Sequence, residues 1–164
     1  VRVLRVAIIV ALLCGAFVLG RWSSERVVLD PTIDVVVAEA ALGFEARLDT
    51  GAVVSSINAR NIQVIDGEGA PSINDVGRQI RFELVNAEGE SRELTTSVAQ
   101  VRGIRMADCR EVRYHVYLTV VYRDQAFRIL TNLNDRAQAA DKLLLGRNWL
   151  SHGYAVGPVT EVEI

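Results

Sequence analysis

The stretch Leu48-Asp49-Thr50-Gly51-Ala52 lies between two runs of strand-forming residues, and it constrains the fold more than any other part of the chain. Upstream, Ile33 to Glu39 is β-branched and apolar; downstream, Val53 to Ile57 resumes the same character. Such a junction puts a carboxylate on a tight turn between strands. The Thr50 hydroxyl can both donate and accept a hydrogen bond. Gly51 lets its backbone N–H approach the carboxylate with no side chain in the way.

The remaining pattern is β-rich. Ile33–Ala40 and Leu42–Leu48 read as strands joined by a tight turn near Ala41 and Gly43, and Val53–Ala59 and Asn61–Ile65 continue in β-type residues. Asp66 to Gly77 is polar and turn-rich, which predicts an exposed loop. Arg78–Val85 alternates, with Ile80, Phe82 and Leu84 on one face, and turns at Asn86–Gly89 into Arg92–Val98. Glu111–Tyr122 and Gln125–Asn132 predict a hairpin turning at Arg123-Asp124. Leu143–Leu145 is a short buried strand, Gly146–Ser151 a brief helix, and Tyr154–Val156 and Val162–Ile164 close the sheet. Helical periodicity is absent after Gly20. The expected fold is therefore all-β, a small closed barrel with one short C-terminal helix.

A second motif, Leu143-Leu144-Leu145-Gly146-Arg147-Asn148-Trp149-Leu150, follows the Asp by about a hundred residues. Together with Asp49-Thr50-Gly51-Ala52 it resembles the retropepsins, single-Asp proteases of retroviral type, in which a strand ends in two apolar residues and Gly-Arg-Asn and opens a short helix. More closely, the chain is similar to the bacterial retropepsin-like group labelled ATP-dependent zinc proteases. The matching features are Ser55 and Ser56 after the Asp turn, Arg113 and Val116, the run Thr131 to Arg136, and Leu144 to Arg147. The resemblance spans about Ile33 to Val156.

It implies a barrel of acid-protease type over residues 33–164 and an aspartic endopeptidase whose catalytic turn is Asp49, Thr50 and Gly51. Two carboxylates must share one proton, so a chain with one such turn must form a homodimer about a two-fold axis. Ala52 would touch the peptide or protein substrate. A closing hairpin is expected at Gln100–Arg110, with Gly103 at its turn and Ile104 and Met106 on the substrate; Asp66–Gly77 competes for that role. Gly146 and Arg147 are structural, Arg147 as an ion-pair residue. Retroviral relatives carry an acid after the Ala that pairs with this Arg. Here that region is Val53-Val54, so Arg147 must find a partner elsewhere, including across the dimer. The remaining Asp residues, Asp75 and Asp141 among them, read as solvated charges or turn formers.

The group's label promises zinc and ATP, and neither finds its residues. His115 and His152 lie far apart, with no His-Glu-x-x-His and no clustered Cys, so no metal and no cofactor are expected. His115 reads as one side of an exposed strand and His152 as a residue after the helix. No phosphate-binding loop exists, and the only lysine is Lys142.

The first residues read as a membrane signal. Val6 to Gly20 is uninterruptedly apolar, preceded by Arg2 and Arg5 and followed by Arg21 and Trp22. Residues 1–22 suit a signal anchor in the bacterial inner membrane, spanning 3–20, or a cleavable signal peptide; 23–32 would be a linker. The charges in front place the N-terminus in the cytoplasm and the domain facing the periplasm or cell exterior. Beyond Arg5 there are 16 basic and 20 acidic residues with no basic cluster, which speaks against nucleic acid as a partner. Cys109 is the only cysteine outside the leader, so the domain has no internal disulfide. The expected function is a membrane-tethered homodimeric aspartic endopeptidase. The alternative is a non-catalytic domain of the same fold that binds an envelope protein or cell-wall peptide.

Overall fold

Alternation builds the frame. In β2 (Thr32–Val37) and β3 (Leu42–Leu48) every second side chain is buried, so Ile33, Val35 and Val37 face the same interior as Leu42, Phe44, Ala46 and Leu48. The structure, a computed structural model, describes residues 26–67, 69–105 and 110–158. Between β2 and β3 the chain makes one 3-10 turn, Ala38–Ala40, closed by Ala41 in the left-handed region at φ 46°. The first strand therefore stops at Val37, three residues short of the expected end.

β4 (Ser55–Val64) is one strand where two were expected. Asn61 has φ 54°, and the pairing with β5 (Gln79–Val85) shifts register between Arg60 and Gln63, so a bulge replaces the expected break. β6 (Ser91–Ser97), β7 (Gln100–Arg105), β8 (Arg110–Tyr122), β9 (Gln125–Asn134) and β10 (Leu143–Leu145) follow. β10 runs parallel to β3 and antiparallel to β4. That double pairing closes the ring β3-β2-β8-β9-β4-β10, a six-stranded barrel, as the alternation required. The β5–β6 hairpin extends the sheet from β4, and β7 pairs with β8.

The interior holds Val37, Ala46, Ile57, Val116, Leu118, Leu143 and Leu145, all essentially inaccessible. Each buried Val, Leu or Ile among them contributes about 1.5–3 kcal/mol relative to exposure. The helix α1 (Arg147–Leu150) is a single turn that plugs one end with Trp149, whose ring stacks on Tyr154 at 4.6 Å with Tyr122 and Phe127 edge-on.

Two expectations need correction. Val27–Leu29, inside the segment read as a linker, forms β1, parallel to β11 (Tyr154–Val156) and anchored by the buried Leu29. His115 is buried, not on an exposed strand face; β8 runs here between β7 and β9, with Gln100 and Asn132 in register beside it. Burial pushes its pKa down. Residues 3–20 and Val162–Ile164 lie outside the described residues; within those described, no helix is long and apolar enough to cross a membrane.

Candidate active site

Asp49 is the first residue after β3, and its backbone N–H donates to Leu145 O at 2.9 Å, which ties the turn to β10. Its Oδ1 accepts from the N–H of Gly51 (2.8 Å) and of Ala52 (3.1 Å). A Cβ at Gly51 would stand 3.2 Å from that oxygen, so the small residue permits the approach. Among the described residues nothing donates to Asp49 Oδ2, and the exposed Thr50 hydroxyl has no partner. One carboxylate oxygen is fixed and the other is open.

The Gly-Arg-Asn motif is the other half of the same construction. Arg147 N–H donates to Ala52 O at 2.8 Å and Asn148 N–H to Val53 O at 3.2 Å. Asn148 Oδ1 accepts from both the N–H (3.1 Å) and the hydroxyl (2.9 Å) of the buried Ser55, and its Nδ2 donates to Leu130 O at 2.7 Å. Gly146 N–H donates to Ser55 Oγ at 3.1 Å. Beneath, Ser56 donates to Asn132 Oδ1 and Asn132 donates to Ser55 O, at 3.0 and 3.1 Å. Gly146 has no room for a side chain: a Cβ there would lie 2.9 Å from Ala52 O and 3.0 Å from Val54 C. The two motifs thus interlock through backbone.

Arg147 acts here through its backbone. Its side chain is exposed and makes no ion pair among the described residues, since Val53 and Val54 stand where an acid would be needed. Ala52, half-buried, sits on the turn itself. Gly103 is in strand β7 opposite Val112, not at a turn. Ile104 pairs with Glu111 along the backbone, and Met106 lies outside the described residues. β7 and β8 pair antiparallel from Gln100 opposite His115 to Arg105 opposite Arg110, and residues 106–109 between them lie outside the described residues. Asp66–Gly77, the competing segment, instead carries a 3-10 turn, Ile73–Asp75, whose Asp75 is buried. Asp75 is a turn former, as expected of it, but not a solvated one.

An open cleft of about 350 Å³ adjoins Asp49 and Thr50, walled by Arg47, Arg136, Asp141 and Leu144. A larger cleft, about 540 Å³, is lined by Asp34, Glu45, Asn86 and Glu90 and includes no residue of the Asp turn. Arg136 is half-buried; its Nε donates to Asp141 O and its backbone N–H to Asn58 Oδ1, both at 2.8 Å. Burial lowers its pKa, opposed by the nearby charges of Asp141 and Asp49. Among the described residues no three His, Cys, Asp or Glu side chains are grouped to hold a metal.

Asn148, Asn132, Arg136 and Asp141 were not singled out from the sequence as site residues. Asn148, Asn132 and Arg136 stood inside the quoted motifs, and that was the available signal. Asp141 carried none, because its place beside Asp49 depends on how the 135–142 loop folds back.

Residues 32–163 match the RimB-like family, described as retropepsin-like aspartic endopeptidase RimB. No curated protein matches the chain. The crystal structure of protein Lpg0085, of unknown function (DUF785), from Legionella pneumophila subsp. pneumophila str. Philadelphia 1, superposes with a TM-score of 0.63 at 25% identity. The alignment covers 80% of this chain and 92% of that one.

Proposed function

This chain belongs to the RimB-like family of retropepsin-like aspartic endopeptidases, and we propose that it hydrolyses peptide bonds as a homodimer, with Asp49 of two copies forming one catalytic pair. The observation that carries this reading is the half-satisfied carboxylate. Oδ1 is held by two backbone N–H groups while Oδ2 and the Thr50 hydroxyl are open on an exposed turn.

In the pair, two carboxylates a few ångströms apart share one proton. The ionised member takes a proton from water as it attacks the scissile carbonyl, and the protonated member donates to the carbonyl oxygen. Thr50 of each copy hydrogen-bonds the opposite turn, and the Gly146–Asn148 latch holds the backbone that aims Asp49. Val27 and Val28, about half and two-thirds exposed on β1, offer apolar area to a partner. Residues 3–20 would tether the domain to the bacterial inner membrane, facing the periplasm; tethering raises local concentration and relaxes the affinity dimerisation needs. A reporter fused after Ile164 should then be active only outside that membrane.

The purified chain, incubated with a denatured protein across a pH series, should cleave it, and Asp49→Ala should not. Sedimentation should show a dimer at micromolar concentration. Absence of cleavage at every pH would favour the same fold used as a peptide-binding domain, and cleavage that survives Asp49→Ala would remove Asp49 from the chemistry.

A further inference from the structure

We infer that His115 is a positioning residue for the Asp49 turn, acting through Asn132 and Ser55, and that it holds the turn only while its imidazole is neutral; this deepens the reading of Asp49 as the catalytic residue. Gln100, His115, Asn132, Ser56 and Leu144 stand opposite one another in turn on β7, β8, β9, β4 and β10. Paired residues share a face of the sheet and stand side by side about 5 Å apart, so these five form one row. The row ends at Leu144, a wall of the cleft beside Asp49. His115 and Asn132, at its middle, are only 2% and 6% exposed.

Asn132 is the joint of the row. Its Nδ2 donates to Ser55 O and its Oδ1 accepts from Ser56, so one carboxamide spans two successive residues of β4. Ser55 in turn accepts from the Gly146 N–H and donates to Asn148, and the N–H groups of Arg147 and Asn148 hold Ala52 and Val53. A displacement of Asn132 therefore passes to the Asp49 turn through bonded groups. His115 is the member of the row that can change charge. Its Nδ1 and the Oε1 of Gln100 are buried without a hydrogen-bond partner among the described residues. Burial keeps the imidazole neutral, the Arg113 carbonyl works against this as an acceptor, and the charges of Arg102 on β7 and Arg113 on β8 reinforce it. β9 and β4 present Asn132 and Ser56, which carry no charge. A proton gained in acid is thus a buried charge facing two cations and a carboxamide whose oxygen is already committed. The strain is relieved by moving the ring, and Asn132 is the neighbour it moves. The contribution of the neutral ring is complete above the ordinary histidine value and is lost as pH falls from there through the lowered one.

The chain has two histidines, so Asp49→Asn combined with His152→Gln leaves one imidazole and removes the turn's own carboxylate. In this full-length variant, an NMR titration from about pH 8 to about pH 4 spans the histidine range. The backbone N–H signals of Gly51 and Ala52 should shift with the same midpoint as the His115 ring, below the ordinary histidine value. Signals that stay put while the ring titrates, or a ring that stays neutral until the fold is lost, would overturn the assignment. In wild type, kcat should fall in acid along the same curve with KM little changed. His115→Gln should carry that limb to lower pH, and His152→Gln should leave it in place. His115→Leu should lower kcat about tenfold at neutral pH, as a misaimed catalytic group does. An acid limb that His115→Gln does not move counts against the proposal. Should the His115 variants not fold, the N–H titration, which keeps the native imidazole, decides. Coupled shifts of Gly51 and Ala52 without turnover by wild type uphold His115 and sink the catalytic pair; turnover with uncoupled signals does the reverse.

Discussion

Asp49 and Asp75 are both carboxylates on tight turns, both accept backbone N–H bonds, and they end in opposite conditions. Asp75 closes a capping box with Ser72, whose N–H donates to Oδ2 at 2.9 Å; the Tyr114 hydroxyl donates to the same oxygen at 2.7 Å, and Arg78 stands 3.9 Å from the other. It is only 4% exposed. Asp49 has the same kind of backbone donors on one oxygen, but nothing from the described chain on the other, and no cation in ion-pair contact. A turn that spends both oxygens internally is architecture. One that leaves an oxygen facing a cleft has chemistry left to do.

The largest effect that separates them comes from isosteric replacement. Asp49→Asn should lower kcat/KM by about 10³ or more, as loss of a general acid–base group does, with little change in melting temperature. Asp75→Asn should melt several degrees lower yet keep its kcat/KM while folded. Equal loss of activity in the two, measured well below both melting points, would erase the distinction.

Next come the groups that hold the open carboxylate in place. Asn148→Ala strands the Ser55 N–H and hydroxyl and Leu130 O, which at ~1–3 kcal/mol for each buried unpaired group points to a loss of about 3 kcal/mol. Gly146→Ala forces a methyl against Ala52 O and should cost about 2 kcal/mol by overpacking. Both should depress kcat beyond what the melting curves explain, because they move the turn; a purely thermal effect would show that the latch does not aim Asp49.

The smallest effect is a pH window. The Tyr114 hydroxyl, the Ser72 N–H and Arg78 hold the Asp75 carboxyl below its ordinary value, so its contribution to stability is present above the usual carboxylate range and is lost as pH falls through the lowered value. Burial, with Asp75 as acceptor, pushes the Tyr114 phenol up to about 12, so that contribution is present below about 10 and is lost as pH rises through about 12. Tyr114→Phe should therefore be less stable than wild type near neutrality, with the gap closing in strong acid and strong alkali. A gap independent of pH in urea melts would remove this pair from the account.

Much of the frame was legible because the barrel strands alternate cleanly: Ile33, Val35 and Val37, or Ile80, Phe82 and Leu84, leave little choice of face. The Asp49 turn was legible because its carboxylate, the glycine beside it and the crowded Gly146 leave little choice of residue. What the sequence hid depends on contacts between distant residues. β1 is short and half-exposed, and it becomes a strand only because Tyr154–Val156 comes back beside it. His115 sits on a strand that is interior to the sheet, between β7 and β9, and its side chain is buried. Asp75 reads like any polar loop residue until Tyr114, nearly forty positions later, arrives above it.

The closure of the ring by β10 has a consequence in time. Leu143–Leu145 pairs with Ala46–Leu48 about a hundred residues earlier, and the Asp49 N–H takes its acceptor from Leu145. On a ribosome, the strand that shapes the turn emerges only after the barrel's other five strands. Closing so long a loop also makes folding slow relative to a helical domain of this size. The nascent chain therefore carries Asp49 long before it carries a positioned Asp49, and the cleft beside it takes shape last.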